Sequence, residues 1–288
     1  MNWKLAGMAG TAAVAVALTG YSAVGSANKF TGNISLAASQ TWENSDFAGP
    51  GVDESFASLG GTGNLNIAFS NNINLQLGMQ GEAAFFDFSD NRKTGFQVDA
   101  HIYTRNDTYA VGVFGGVGSD STVDDESADH YFVGVEGQYY WNNFTFGLNG
   151  GYLDSNATDT PRDQFLNSAW FTDAEVRWYA TPKVTVSANV GYLSGKTDFG
   201  NFDQKTWHYG VKAEYWPEEK EPLSLFIAYE GRSSDFNDNF GGPDASKTVN
   251  VVKVGVTFHF GVDGDSQSND RSGPAFNTFD YGNVVVGG

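Results

Sequence analysis

From Ile73 to Gln80 apolar and polar residues alternate without a break. Ile73, Leu75, Leu77 and Met79 fall on one side, and Asn74, Gln76, Gly78 and Gln80 on the other. Successive side chains of a β-strand point to opposite faces, so this period builds a strand with one apolar and one polar face, and an α-helix does not satisfy it. The same pattern recurs at 30–41, 62–70, 73–86, 94–104, 109–118, 130–141, 144–152, 169–180, 184–192, 206–216, 223–231 and 248–260, which predicts twelve strands.

The connections alternate too. Asn71-Asn72, 105–108, Asn142-Asn143, 181–183 and 217–222 are short, whereas 42–61, 87–93, 119–129, 153–168, 193–205 and 232–247 are longer and rich in Asp, Asn, Ser and Gly. Asn tolerates the positive φ of a tight hairpin, so the Asn-Asn pairs suit two-residue turns. Short turns at one end and long loops at the other describe a transmembrane antiparallel up-and-down β-barrel, all-β, with both termini on the periplasmic side. Proline tests this independently, because a proline inside such a strand removes a ladder hydrogen bond that lipid cannot replace. Pro50, Pro161, Pro182, Pro217, Pro222, Pro243 and Pro274 all fall in loops, turns or the tail.

The N-terminus carries Lys4, an apolar run from Leu5 to Leu18, and small residues at Gly25 and Ala27. This reads as a secretory signal peptide, residues 1–27, cleaved after Ala27. The run falls short of the ~20 residues a spanning helix needs, and no later run reaches that length. The chain has no cysteine, so no disulfide staples it, and a closed barrel is a structure in which every strand still has two partners. A formal charge of −18 repels phosphate backbones and excludes nucleic acid as a partner.

Aromatic residues gather near the strand ends. Tyr109, Trp141, Phe144, Trp178 and Trp216 lie toward the short turns, and Phe85, Tyr152, Trp170, Tyr192, Trp207 and Tyr229 toward the loops. Two interfacial girdles explain this spacing better than a soluble core. With these features the chain resembles the bacterial outer-membrane porin and β-barrel superfamily. The resemblance rests on the leader, the twelve alternating strands and the last strand, TVNVVKVGVTFHF, which closes on Phe260. It implies an outer-membrane location, contact with lipid and lipopolysaccharide, and recognition of the last strand by the barrel-assembly machinery. The chain departs from the pattern by continuing from Gly261 to Gly288.

If Ile73, Val98, Val135, Val176, Val211 and Val254 face lipid, alternation turns Glu82, Asp99, Glu136, Asp173, Glu175, Glu214 and Glu230 inward, with Arg177, Lys212, Arg232 and Lys253. Ionisable groups at membrane depth line water or pair with one another, so this interior is wet or salt-bridged. A dozen strands lie between a filled barrel and an open porin. Small inward residues such as Gly78, Gly116, Gly134 and Gly191 favour a narrow aqueous pore over a filled lumen.

His101 and His208 also point inward, on strands four and ten, and read as hydrogen-bonding residues of the lumen, as do His130 and His259. None of the four stands in a His-x-Ser arrangement, and no catalytic group is assigned. Asp235, Asn237 and Asn239, and Asp263 with Asp265, have the look of calcium ligands, but Phe240 stands where an EF-hand loop requires glycine, and solvated loops fit better. No metal or cofactor is expected. The tail, 261–288, is a disordered periplasmic appendage, a partial plug or a docking peptide, with disorder the expectation. The reading as a whole is a channel for passive diffusion of small hydrophilic solutes and ions, mildly cation-preferring. The alternative is a non-conducting barrel with a structural or adhesive role through its surface loops.

Overall fold

The computed structural model describes residues 29–46, 52–69, 72–85, 92–121, 127–157, 165–197, 202–217, 222–238, 244–261 and 265–285. The predicted leader lies outside them. Twelve strands, β1 (Lys29–Ser45), β2 (Val52–Ala68), β3 (Ile73–Phe85), β4 (Arg92–Arg105), β5 (Tyr109–Ser121), β6 (Ser127–Trp141), β7 (Phe144–Ala157), β8 (Leu166–Thr181), β9 (Val184–Thr197), β10 (Phe202–Tyr215), β11 (Leu223–Asp238) and β12 (Ala245–Phe260), form one closed sheet. Each pairs antiparallel with its chain neighbour, and β12 closes on β1 from Gly32↔Phe260 to Ser45↔Lys247.

The turn chemistry follows the prediction at Asn142-Asn143, a two-residue hairpin between Trp141 and Phe144, whereas between β2 and β3 the Phe69 N–H donates to the Ile73 carbonyl and the connection is three residues long, not two. Asn72 (φ 65°) and Asn142 (φ 49°) are the two non-glycine residues with positive φ among the described residues, one in each Asn-Asn hairpin. Eleven strands are longer than predicted and β3 ends one residue earlier, so that each has 13 to 17 residues, and the excess lies mainly at the loop end. β1 and β2, for example, stay paired as far as Ser45↔Val52, inside the stretch 42–61 that reads as a loop. Polar residues there break the apolar alternation but not the hydrogen-bond ladder. A 17-residue strand tilted by about 45° rises ~40 Å, more than an apolar band of ~25 Å, so the sheet continues into water at that end. Asp235 and Asn237 accordingly sit within β11.

Outside, Leu36, Ile102, Val113, Val135, Leu148, Val211, Ile227 and Val254 are exposed and form an apolar belt. Aromatic residues flank it. Trp141, Phe144 and Trp178 make a stacked row at the short-turn end, with ring centroids 6.2 and 6.4 Å apart. At the loop end, Trp207 lies 4.7 Å from Tyr192 and Trp170 lies 5.2 Å from Tyr152. Trp216 departs from the prediction. It has the inward parity of β10, is buried, and stacks on His259 at 4.2 Å, and Tyr215 is the outward aromatic there.

The tail also corrects the prediction. It is not a disordered appendage outside the barrel. At Gly261 the chain takes φ 74°, a conformation where a Cβ would meet the Phe30 carbonyl oxygen at 2.0 Å. Beyond it, α1 (Ser266–Ser272) lies at the short-turn mouth, where Asp265 caps its first turn and Arg271 donates to the Asn142 and Phe144 carbonyls. An extended stretch then threads the lumen to α2 (Gly282–Val285), whose Gly282 abuts the Asp120 carboxylate near the far end of β5. The last described residues therefore lie at the opposite end of the barrel from Phe260, not with the N-terminal end of β1.

Candidate functional site

Every inward residue named from the sequence does face the interior, but the tail divides the interior into two halves. Against β4 to β9 the wall is apolar toward the loop end: Phe114, Phe132, Leu153, Phe171 and Leu193 point inward and bury Tyr281, Val284 and Val285 of the tail. Nearer the short turns Tyr103, Ala110 and Tyr140 enclose Ala275 and Phe276. The alternation that marks these strands is thus not apolar-out and polar-in throughout. Large apolar residues on both faces of β5 to β8, with a tail carrying Phe276, Phe279 and Tyr281, were the available signal for a plug.

The small inward glycines have a different role from the one the sequence suggests. A Cβ at Gly78 would meet Asp99 at 2.1 Å, one at Gly116 would meet Phe132 at 2.4 Å, and one at Gly134 would meet Phe114 at 2.6 Å. At Gly191 it would meet both Asp173 and His208 at 2.1 Å. These positions make room for a neighbour's side chain, so they fill the interior and do not widen it.

The tail packs on three clusters of the predicted residues, centred on His101, Arg177 and His208. His101 is buried, with Nδ1 2.9 Å from both oxygens of Glu136 and Nε2 2.9 Å from Asp99 Oδ1 and 3.1 Å from Thr278 Oγ1. Arg177 pairs with Glu175 at 2.7 Å and with Asp270 of α1, which also accepts from the Tyr179 hydroxyl. A guanidinium at this depth requires such carboxylates, because an unpaired charge there carries a cost of several kcal/mol. His208 pairs through Nε2 with Asp173 at 2.7 Å, and Phe279 stacks on its ring.

Glu214 sits apart, near the short turns. It accepts from Lys212 at 2.8 Å and from Ser224, and His259 lies 2.9 Å from the Ser224 hydroxyl. This grouping and the one at His101 each join a hydroxyl, an imidazole and a carboxylate. In neither is the nucleophile presented as acyl transfer requires: Ser224 is fully buried and points its hydroxyl at Glu214, and both nitrogens of His101 already face carboxylates.

The other half of the interior holds a cavity of about 420 Å³, bordered by the tail and most densely by β1 to β3 and β10 to β12, with charged, polar and apolar side chains on its wall. Ser39, Glu82, Lys212, Glu230, Arg232 and Lys253 line it from the wall, and Asn277, Asp280 and Asn283 from the tail. Asp99, Asp173, Glu175 and His208 reach it as well, whereas His101, Glu136, Arg177 and Glu214 do not. Among the described residues eight carboxylates and three cationic side chains border it. Lys253 is held by Glu230 at 2.7 Å, and Glu82 accepts from Ser39 at 3.3 Å and from Ser58. No group of His, Cys, Asp and Glu suited to a metal ion occurs among the described residues.

A closed up-and-down barrel with an apolar outer belt, aromatic bands at both ends and a charged interior has the architecture of a bacterial outer-membrane β-barrel. No protein-family model and no curated protein matches the sequence. Among solved structures the chain is similar to a KdgM porin in complex with disordered oligogalacturonate, at 12% identity and a TM-score of 0.45 over 78% of this chain and 99% of that one. It is similar to OmpT of Vibrio cholerae at 10% identity, TM-score 0.43, over 82% and 99% of the two chains. For the translocator domain of the autotransporter NalP from Neisseria meningitidis the values are 15%, 0.40, 89% and 97%. Likeness at this level says nothing about cargo or chemistry, and the fold assignment stands on the closed strand register of this chain.

Proposed function

We propose that the protein is an outer-membrane channel for small hydrophilic solutes and ions, exported by its leader and narrowed by its own C-terminal segment. The observation that carries this reading is the cavity beside the tail, walled by ionisable side chains at membrane depth. Such groups are stable there in contact with water, and the surplus of carboxylates raises the local concentration of cations over anions. Passage is passive, cation-preferring and limited to small species by the half of the lumen that the tail occupies. Lipid and lipopolysaccharide surround the belt, and the last strand, with Phe260 turned outward, is the segment offered to the assembly machinery.

Single-channel recording of the refolded protein in planar bilayers, under a salt gradient, tests the reading. Stepwise currents with a reversal potential on the cation side are expected. A correctly folded barrel that stays silent with and without its tail would instead support a structural or adhesive role.

A further inference from the structure

The wall behind the tail is built to bind a polypeptide backbone. Gln76, Gln97 and Gln138 stand on β3, β4 and β6, all buried, and each directs its amide at main-chain groups of the tail. Gln76 pairs with Phe276 in both directions, donating to its carbonyl at 2.6 Å and accepting from its N–H at 3.2 Å. Gln97 donates to the Phe279 carbonyl at 3.0 Å and accepts from the Tyr281 N–H at 3.2 Å. Gln138 donates to the Ala275 carbonyl. Arg105 donates to the carbonyls of Ser272 and Gly273, at 3.1 and 2.7 Å. An extended segment with no ladder of its own needs partners of this kind, and a side-chain amide offers donor and acceptor as a neighbouring strand would.

Side-chain pockets accompany the backbone contacts. Phe276 stacks on His101 at 5.9 Å and meets the edge of Tyr103 at 5.1 Å. Phe279 stacks on His208 at 3.9 Å, and Tyr281 packs between Phe132 and Phe171 at 4.7 and 4.6 Å. Thr278 reaches His101. The barrel closes without the tail, because β1 and β12 pair directly and the tail adds no strand. Occupant and wall are therefore separable pieces of structure, joined only by noncovalent contacts and the chain at Gly261.

We infer that the inward face of β3 to β8 is a binding site for a polypeptide segment, that residues 274–285, extended as far as Tyr281 and ending in α2, fill it as a reversible ligand in cis, and that the same site takes this segment in trans once the tail is removed. The ligand class is an extended peptide with aromatic side chains at positions corresponding to 276, 279 and 281 and a hydroxyl at 278. Vacating the site joins its volume to the neighbouring cavity, so occupancy sets pore width. This last consequence rests on the channel reading above, whereas binding does not.

The test uses the full chain carrying Asp120→Cys and Gly282→Cys, and a barrel ending at Gly261. A Cβ on Gly282 would lie 1.5 Å from Asp120 Oδ2, which puts the two positions within disulfide reach, and the chain has no other cysteine. In planar bilayers the oxidised form is expected to hold a low conductance, reduction to raise it at least twofold in discrete steps, and the truncated barrel to stay at the higher level. A synthetic peptide of residues 265–285 is expected to block the truncated barrel, and a scrambled peptide to leave it open. In micelles, anisotropy of the labelled peptide should show saturable binding, weakened about tenfold by Gln97→Ala in the barrel and on the order of a hundredfold by Tyr281→Ala in the peptide.

Absence of saturable binding to a heat-modifiable truncated barrel, or equal binding of the scrambled peptide, overturns the inference. If every form is silent in bilayers, the channel reading fails and anisotropy still decides the binding site. If the truncated barrel does not fold, hydrogen exchange over 274–285 in the full-length cysteine pair decides. Faster exchange on reduction supports a reversible ligand, and identical exchange in both forms overturns it.

Discussion

The Phe279 ring lies 3.9 Å, centroid to centroid, from the imidazole of His208, in a nearly parallel stack that joins the tail to β10 across the interior. Nε2 of that imidazole is held by Asp173 on β8. A residue that reads from the sequence as a hydrogen-bonding histidine of the lumen is thus also a platform for the plug. Replacing Phe279 with alanine removes this stack and the edge contact to Tyr281, and should weaken docking of the tail by about 1–3 kcal/mol while leaving the barrel's heat-modifiable mobility unchanged. Hydrogen exchange across 274–285 reads the effect, and unchanged protection there would show that the stack contributes nothing to docking.

Arg177 and Asp270 should be coupled. Arg177 is buried between Asp270 and Glu175, so Arg177→Met leaves two carboxylates without their cation and should destabilise the folded protein by roughly 3–5 kcal/mol. Asp270→Asn alone costs less, because Glu175 still compensates the guanidinium. Urea unfolding of both single variants and the double variant gives the coupling, expected at about 1–3 kcal/mol; strict additivity would mean the ion pair does no more than its parts.

Selectivity should respond to residues on the cavity and not to those behind the tail. Glu82→Lys and Glu230→Lys each place a cation on the water-lined wall and should shift the reversal potential toward anions, whereas Glu136→Gln, held at His101 away from the cavity, should leave it unmoved. The sequence alone ranks Glu136 with the others. A shift from Glu136→Gln equal to that from Glu82→Lys would place the conducting path on the wrong side of the tail.

Gly191 should tolerate no side chain. Its Cβ would fall 2.1 Å from both members of the His208–Asp173 pair, so Gly191→Val forces that pair apart and should cost about 1–3 kcal/mol with partial loss of the Phe279 stack. Gly147→Val has ordinary contacts, the nearest atom being 3.6 Å away, and serves as the control. Equal unfolding midpoints for the two variants would contradict the packing described.

Orientation toward lipid can be read from tryptophan. In single-tryptophan variants reconstituted with brominated lipid, Trp170 and Trp178, which are exposed on the outer face, should be quenched, and Trp216, buried against His259, should not. Quenching of Trp216 alone would invert the assignment of the two faces.

Period-two alternation determined the strands, their number and which face each side chain takes, because those properties follow from local backbone geometry and a single apolar environment outside the barrel. The positive φ at Asn72 and Asn142 was equally legible, since it is a property of one residue, although the length of the first of these turns was not. Only the tertiary structure decided what the inward residues meet. Whether Glu136 lines water or clasps His101, whether Gly116 is a gap or a seat for Phe132, and whether Phe276, Phe279 and Tyr281 hang free or fill the lumen all depend on contacts between residues far apart in the chain. Those contacts carry no period, and they are set by which side chains the closed barrel brings face to face.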